Sequence, residues 1–219
     1  MTLRVSEVLP VGPLACNCAI VVDDASGLAA VVDPGDEPDR ILDALGRAGA
    51  RAAALLHTHA HFDHVAAAGA VHRATGAPIR LHPDDRFLYD MLTEQGRLFG
   101  FRFDDPEKVT EPLSDGETIA VGSSAIRVIH TPGHSPGSVC FLADGDAPVL
   151  FSGDTLFRES IGRTDLWGGS FPEIERSIRG RLYALPDALR VIPGHGEETT
   201  IAEEARLNPF VGARAVPLV

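Results

Sequence analysis

The sequence predicts an α/β fold in which sheets are covered by helices on their outer faces. Short β-branched runs alternate along the chain with segments whose apolar residues recur at helical spacing. The order is mixed, because runs that indicate hairpins accompany helices in both halves of the chain. No linker, low-complexity tract or short repeat interrupts the pattern. We therefore expect a single domain over residues 1–219.

A hairpin is predicted near the start of the chain. Residues 18–22 and 28–32 are β-branched runs, and Asp24-Ala25-Ser26-Gly27 between them is typical of a turn. Asp33-Pro34-Gly35 then ends the second strand. We therefore expect the second strand of the hairpin to end before these three residues.

The next elements alternate between helix and strand. Residues 38–48 have apolar residues at helical spacing behind Pro38, and Gly49 follows, which indicates an amphipathic helix. We then expect a strand at 52–56, an Ala-rich helix at 65–75 and a strand at 79–81.

Residues 83–110 form the segment with the weakest pattern. Phe87, Leu88, Met91 and Leu92 suggest a helix, and aromatic residues alternate with polar ones further on. We interpret the segment as a partly exposed insert near the site, whose aromatic residues pack against the protein rather than contact substrate.

The second half is predicted to be rich in strands that run into glycine-containing loops. Ser170-x-x-Glu173 and Thr200-x-x-Glu203 are capping-box signatures, which predict a helix to about Leu182 and a short final helix. The expected strands are 118–121, 125–129, 139–142, 149–151 and 189–192.

Composition excludes several classes of partner. The net charge is −12 over 219 residues and no basic run occurs, which disfavours nucleic acids and acidic membranes. The N-terminus lacks the apolar core of a signal peptide, and no run is long enough to span a membrane. We expect a cytoplasmic enzyme acting on a small molecule. Cys16, Cys18 and Cys140 are interpreted as reduced packing residues.

A cluster of metal-ligand residues follows the strand predicted at 52–56. The cluster is His59-x-His61-x-Asp63-His64. Alternate positions turn His59 and His61 to one side, while Asp63 and His64 point to a neighbouring position, which suits two adjacent metals. Imidazole and carboxylate ligands favour zinc, iron or manganese over copper(I).

Four predicted strands each end within a few residues of a candidate ligand. If these strand ends meet at one edge of the sheets, as is common in α/β folds, their ligands converge on one crevice. We expect His59, His61 and His134 to bind one metal, Asp63, His64 and His195 to bind the other, and Asp154 to bridge them. His57, His72, His82 and His130 are interpreted as structural or supporting imidazoles.

The residues resemble the metallo-β-lactamase superfamily, and within it the glyoxalase II (hydroxyacylglutathione hydrolase) branch of short bacterial type. The likeness covers residues 5–200 and implies a four-layer αββα sandwich with the metals at one edge of its two sheets. It is carried by His59-x-His61-x-Asp63-His64, by residues 131–137 (Thr-Pro-Gly-His-Ser-Pro-Gly), by residues 152–157 (Ser-Gly-Asp-Thr-Leu-Phe) and by residues 193–196 (Pro-Gly-His-Gly).

The resemblance implies hydrolysis of a thioester such as S-lactoylglutathione, by a hydroxide that bridges two divalent metals. Zn²⁺ is the first expectation for those metals, with iron or manganese as alternatives. Asp63 and Asp154 are the expected catalytic carboxylates. Arg163 is the best match to a substrate-binding Lys of the family, although Asp165 stands where the family has Tyr.

Three other functions remain open at this stage. The first is a persulfide dioxygenase, which the chain resembles in its Gly162-Arg163-Thr164-Asp165 loop and which would bind one iron through His59, His134 and Asp154. The second is a lactonase or other small-ester hydrolase with the same metal pair. The third is a metal-binding scaffold without catalysis. The sequence does not specify an oligomeric state.

Overall fold

Two six-stranded sheets carry the structure over residues 3–145, 147–213 and 215, which are the residues that the computed structural model describes. The strands are β1 (Leu3–Val11), β2 (Cys16–Asp23), β3 (Leu28–Val32), β4 (Arg51–Leu56), β5 (Ile79–Leu81), β6 (Glu111–Pro112), β7 (Thr118–Val121), β8 (Ser124–His130), β9 (Val139–Ala143), β10 (Val149–Gly153), β11 (Leu156–Phe157), β12 (Ser160–Ile161), β13 (Arg190–Pro193) and β14 (Thr199–Thr200).

Helices lie between these strands. They are α1 (Pro38–Arg47), α2 (Phe62–Val65), α3 (Ala68–Thr75), α4 (Arg86–Asp90), α5 (Leu92–Phe99), α6 (Phe171–Ser177) and α7 (Ile201–Leu207), with a 3₁₀ turn at Pro83–Asp85 and a π turn at Ile178–Leu182. Among the described residues, no helix has the length and apolarity that crossing a membrane requires.

The two sheets combine antiparallel and parallel pairing. The first has the order β1-β2-β3-β4-β5-β6, in which β1, β2 and β3 pair antiparallel and β3 to β6 pair parallel. The second has the order β14-β13-β10-β9-β8-β7, in which β10 and β13 are parallel and the other pairs antiparallel. Strands β11 and β12 form a separate short ribbon.

Strands β2 and β3 of the first sheet are mostly apolar on both faces. In β2, Ala19 and Val21 pack between the two sheets, whereas Cys18, Ile20 and Val22 pack beneath helices α1 and α3. Successive side chains of a strand point to opposite faces, so a continuous apolar run is what a doubly covered strand requires.

The second sheet repeats this arrangement. In β9, Phe141 and Ala143 face the first sheet, while Cys140 and Leu142 face the residues of α6, α7 and the π turn. Helix, sheet, sheet and helix therefore stack as four layers, which confirms the predicted αββα sandwich. The three cysteines are free and buried, as expected of packing residues.

Most predicted elements are present, and the differences have local causes. Strand β1 was not predicted, because a bulge between Val5 and Glu7 breaks the alternation that marks a strand in sequence. The predicted helix at 65–75 begins later, at Ala68, after the separate turn of α2. Ser170 precedes α6 as predicted but its hydroxyl makes no capping hydrogen bond, whereas Thr200 accepts one from the backbone N–H of Glu203.

Candidate metal centre

The candidate metal ligands lie at the ends of four strands. His59 follows β4, His134 follows β8, Asp154 directly follows β10, and His195 lies two residues after β13. Because β10 and β13 are parallel neighbours, Asp154 and His195 leave the second sheet side by side. The ends of the first and second sheets thus supply ligands to one crevice.

The first group consists of His59, His61 and His134, all of which are buried. Nε2 of His59 lies 3.2 Å from Nε2 of His134, and Nδ1 of His61 lies 2.8 Å from the same atom. Three ring nitrogens from two sheets therefore face one point.

The second group consists of Asp63, His64 and His195. Nε2 of His64 lies 3.2 Å from Nε2 of His195, which in turn lies 3.1 Å from Oδ2 of Asp63. The His195 side chain is 26% exposed while that of His64 is fully buried. This group is thus the one that faces solvent.

Asp154 lies between the two groups. Its Oδ1 is 3.3 Å from Nε2 of His64, and its Oδ2 is 3.6 Å from Nε2 of His134. Gly194 makes room for this carboxylate, since a Cβ at that position would overlap Asp154 Oδ1. One carboxylate therefore reaches both groups, and it also forms a close set with His59 and His64. The division of these ligands between two metals stays a prediction.

Four of the imidazoles are held from behind by hydrogen bonds at Nδ1. The Nδ1 of His134 contacts the carbonyl oxygen of Arg163 at 2.8 Å, and that of His195 contacts the carbonyl oxygen of Leu14 at 2.9 Å. The other two contacts are His59 Nδ1 to Thr58 Oγ1 at 3.1 Å and His64 Nδ1 to Asp33 Oδ2 at 3.0 Å. Such partners fix the ring orientation and leave Nε2 directed at the centre.

Asp33 was not predicted as a site residue. Its buried carboxylate accepts hydrogen bonds from the backbone N–H of Thr58 and from Thr58 Oγ1, each at 2.7 Å, as well as contacting His64. Its backbone is in the left-handed region at φ 50°, a conformation that few non-glycine residues adopt. The available signal was its position at the end of β3, the same kind of position that marked the other ligands.

Electrostatics favour metal-binding protonation states at His59, His61 and Asp154. At His64 and His195, burial acts to lower the pKa, but nearby anionic groups outweigh it and raise the pKa of both. Burial lowers the pKa of His61 to about 3 and lowers that of His59 well below its usual value. Burial acts to raise the pKa of Asp154, but the neighbouring His64 outweighs it and holds the pKa of that carboxyl below its usual range. His59 and His61 are therefore neutral at pH 7, with lone pairs free, while Asp154 is ionised.

These residues fit a pair of divalent metals. Asp154 Oδ1 is buried without a hydrogen-bond partner, and an unpaired buried carboxylate oxygen is costly unless a cation satisfies it. Imidazole nitrogens facing each other at 2.8 to 3.2 Å share at most one proton per pair. A set of neutral imidazoles and carboxylates is the donor set that zinc and iron accept.

The remaining predicted residues lie around this centre. The Arg163 side chain is exposed and paired with Asp165 at 2.7 Å, while its carbonyl holds His134. Its assignment to substrate stays a prediction. His57, His72 and His130 each contact a backbone carbonyl through one ring nitrogen, and His82 stacks on His130 with ring centroids 4.2 Å apart.

His82, Asp84 and His130 also approach one another closely enough to suggest a metal group. The two rings are nearly parallel, at 11°. Nitrogen lone pairs lie in the ring plane, so those of stacked rings point side by side rather than at a common ion. We therefore do not assign a metal to this cluster.

Comparison with known proteins places the chain in a family. Residues 11–195 match the model of the Metallo-beta-lactamase superfamily. The hydroxyacylglutathione hydrolase GloC of Haemophilus influenzae is 35% identical over 213 residues, covering 95% of this chain and 99% of that protein.

Two solved structures are also closely similar. TTHA1623 in a di-iron-bound form has a TM-score of 0.85 and 40% identity, covering 93% of this chain and 99% of that one. BLEG-1 B3 metallo-beta-lactamase has a TM-score of 0.87 and 37% identity, covering 94% of this chain and 98% of that one. The family resemblance seen in the sequence is confirmed: the chain belongs to the metallo-β-lactamase superfamily.

Proposed function

We propose that the chain is a metal-dependent hydrolase of small thioesters, with S-lactoylglutathione as the model substrate. The observation that carries the proposal is the pair of adjacent ligand groups, one buried and one facing solvent, with Asp154 between them. The likeness of the chain to GloC, which is described as a hydroxyacylglutathione hydrolase, supports the choice of a thioester as substrate.

The proposed ligands are seven side chains: the six of the two groups, together with Asp154. Two divalent ions, when bound, supply an activated water and a Lewis acid for the substrate carbonyl. Zn²⁺ is the metal that we propose first, and the di-iron form of TTHA1623 makes iron the alternative to test. The first group draws on both sheets, because His59 and His61 follow β4 of the first sheet and His134 follows β8 of the second.

Asp63 is the proposed catalytic carboxylate at the mouth of the site. Its side chain is 15% exposed and lies 3.1 Å from His195, so it can orient a water molecule that enters from solvent. Burial acts to raise its pKa, but His64 and the hydrogen bond with His195 hold that pKa below its usual value. The ionised carboxylate accepts a hydrogen bond from water throughout the neutral pH range.

Thioester cleavage suits a site of this kind because the leaving group is a thiolate. Thiols have pKa values of about 8.5, so a thiolate departs with little assistance from an acid. A protonated side chain poised beside the leaving group is therefore not required. Asp154 contributes by fixing the distance between the two ligand groups, and Arg163 is proposed to attract a substrate carboxylate.

The experiment is a substrate panel combined with metal analysis of protein purified without added metal. Wild type is expected to carry two metal equivalents and to hydrolyse S-lactoylglutathione, and His59→Ala or Asp154→Ala to abolish the activity. His72→Ala is the matched control, because His72 lies on α3 and contacts the Ala77 carbonyl instead. Undiminished turnover in the His59 or Asp154 variant would refute the assignment.

The same panel separates the competing functions. One iron per chain together with oxygen uptake on glutathione persulfide would indicate a dioxygenase. Turnover of lactones or simple esters in preference to thioesters would indicate a lactonase or other small-ester hydrolase. A chromogenic β-lactam belongs in the panel because of the likeness to BLEG-1. We also propose a cytoplasmic location, which fractionation of the native host would test.

A further inference from the structure

The insert at 83–110 sends one buried carboxylate into the space between two ligand-bearing loops. Asp85 is fully buried, and its Oδ2 accepts hydrogen bonds from the backbone N–H of Ala60 at 2.9 Å and from Ser135 Oγ at 2.7 Å. Its Oδ1 accepts a third from the backbone N–H of Gly137 at 2.6 Å. One side chain thus joins the loop after β4 to the loop after β8.

These contacts lie next to the ligands themselves. Ala60 stands between His59 and His61, and Ser135 follows His134 directly. All three members of the first ligand group are therefore within one residue of a group bonded to Asp85. A shift of either loop would separate nitrogens that now face each other at 2.8 to 3.2 Å.

A second buried side chain of the insert completes the hold on residue 60. Gln95, on α5, donates through Nε2 to the Ala60 carbonyl at 3.0 Å and accepts through Oε1 from the backbone N–H of Phe62 at 3.2 Å. The N–H and the C=O of Ala60 are thus bound by different residues of the same insert. Aromatic packing holds the insert in place, because Phe62 lies between 5.3 and 5.7 Å from the rings of Phe99, Phe101 and Phe103.

The second ligand group is held by other residues. His64 contacts Asp33, and His195 contacts the Leu14 carbonyl. None of the hydrogen bonds of Asp85 among the described residues reaches Asp63, His64 or His195. Removing the Asp85 carboxylate should therefore act unequally on the two groups.

We propose that Asp85 is a positioning residue that sets the metal affinity of the His59, His61 and His134 group and leaves the other group largely unaffected. The inference rests on the metal-binding part of the proposed function. It does not depend on which substrate is hydrolysed. It also gives the insert a role, namely to clamp the two ligand loops through buried polar contacts.

The chain carries a spectroscopic reporter for the first group. Trp167 is its single tryptophan, and the indole lies 6.2 Å from the ring of His61. Titration of chelator-treated protein with cobalt(II), followed by Trp167 fluorescence, reports metal arriving at the centre, and the quenching is expected to be strongest for this group because its His61 lies beside the indole. Total cobalt bound per chain, measured after equilibrium dialysis, reports both groups together.

Asp85→Asn and Asp85→Ala are the test variants, and Asp23→Asn is the matched control. Asp23 is also fully buried and accepts hydrogen bonds from Ser123 and Ser124, but it lies at the opposite ends of the strands. We expect the cobalt concentration for half-quenching to rise at least about tenfold in Asp85→Asn and further in Asp85→Ala, in line with the loss of partners that support metal ligands. At intermediate cobalt concentrations, equilibrium dialysis of the Asp85 variants should then give about one cobalt bound per chain, at the second ligand group.

Unchanged quenching in both Asp85 variants, or an equal weakening in Asp23→Asn, would overturn the inference. If the Asp85 variants do not fold, Ser135→Ala removes one donor to the same carboxylate and is expected to weaken quenching severalfold. A cobalt concentration for half-quenching that is unchanged in Ser135→Ala would equally contradict the proposal. A wild type that binds cobalt at both groups yet hydrolyses no thioester would refute the proposed function while leaving this inference intact.

Discussion

Oδ2 of Asp33 lies 3.0 Å from Nδ1 of His64, and both side chains are buried. The same carboxylate binds Thr58, whose hydroxyl oxygen lies 3.1 Å from Nδ1 of His59. One residue at the end of β3 thereby supports a ligand of each group, directly in one case and through a hydroxyl in the other.

Asp33→Asn is expected to weaken metal binding by about 10- to 100-fold, because an amide is a poorer acceptor for the His64 imidazole. Competition between the protein and a chromogenic zinc chelator measures the change. Asp23→Asn is the control, as its carboxylate is equally buried but remote from the ligands. Equal zinc affinity in wild type and Asp33→Asn would contradict this role.

Arg163→Ala is expected to raise KM for an anionic thioester severalfold and to leave kcat nearly unchanged, because Arg163 contributes charge and not a reacting group. Arg190→Ala is the matched control, since Arg190 is similarly exposed and paired with Glu198 at the start of β13. The KM effect should shrink as salt is added. A fall in kcat at constant KM would exclude a role limited to substrate attraction.

Asp23 links the turn after β2 to the turn between β7 and β8. Hydrogen bonds from Ser26, Ser123 and Ser124 hold the pKa of Asp23 below its usual value. A carboxyl whose folded pKa is lowered stabilises the protein above its unfolded pKa of about 3.9, and this contribution is lost as the pH falls further.

Asp23→Asn should therefore lower Tm at pH 7, and the difference from wild type should narrow as the pH is lowered from 5 to 3. Thermal unfolding of metal-free protein at each pH measures the difference. A gap in Tm that stays constant across this range would show that the charge of Asp23 does not contribute.

The two predicted helix caps provide a matched pair. Thr200→Ala is expected to lower the free energy of unfolding by about 1 kcal/mol, because Thr200 Oγ1 caps α7 by accepting from the Glu203 N–H. Ser170→Ala should have little effect, since the Ser170 hydroxyl makes no capping bond. Urea unfolding of both variants tests the difference, and equal losses would contradict it.

What could be predicted from the sequence rested on local spacing. The ligand motif at 59–64 is visible in sequence because its members are neighbours, and strand ends next to His134, Asp154 and His195 predicted one crevice. The structure brings those side chains together.

The supporting residues were not predictable in the same way. Asp33 acts on Thr58 and Asp85 acts on Gly137, at separations of 25 and 52 positions. No local pattern distinguishes such a carboxylate from one on the surface. Strand β1 was hidden by its bulge, and Ser170 matched a capping signature without making the bond.

His64 and His195 face each other across 131 positions of the chain. Loop closure over such a distance is entropically costly and follows the pairing of both sheets. A half-length fragment that retained residues 59–64 would hold four of the seven candidate ligands without the other three. Under the proposed two-metal arrangement, full occupancy by two ions would therefore be a signature of completed folding, and metal stoichiometry would serve as a quality check on any recombinant preparation.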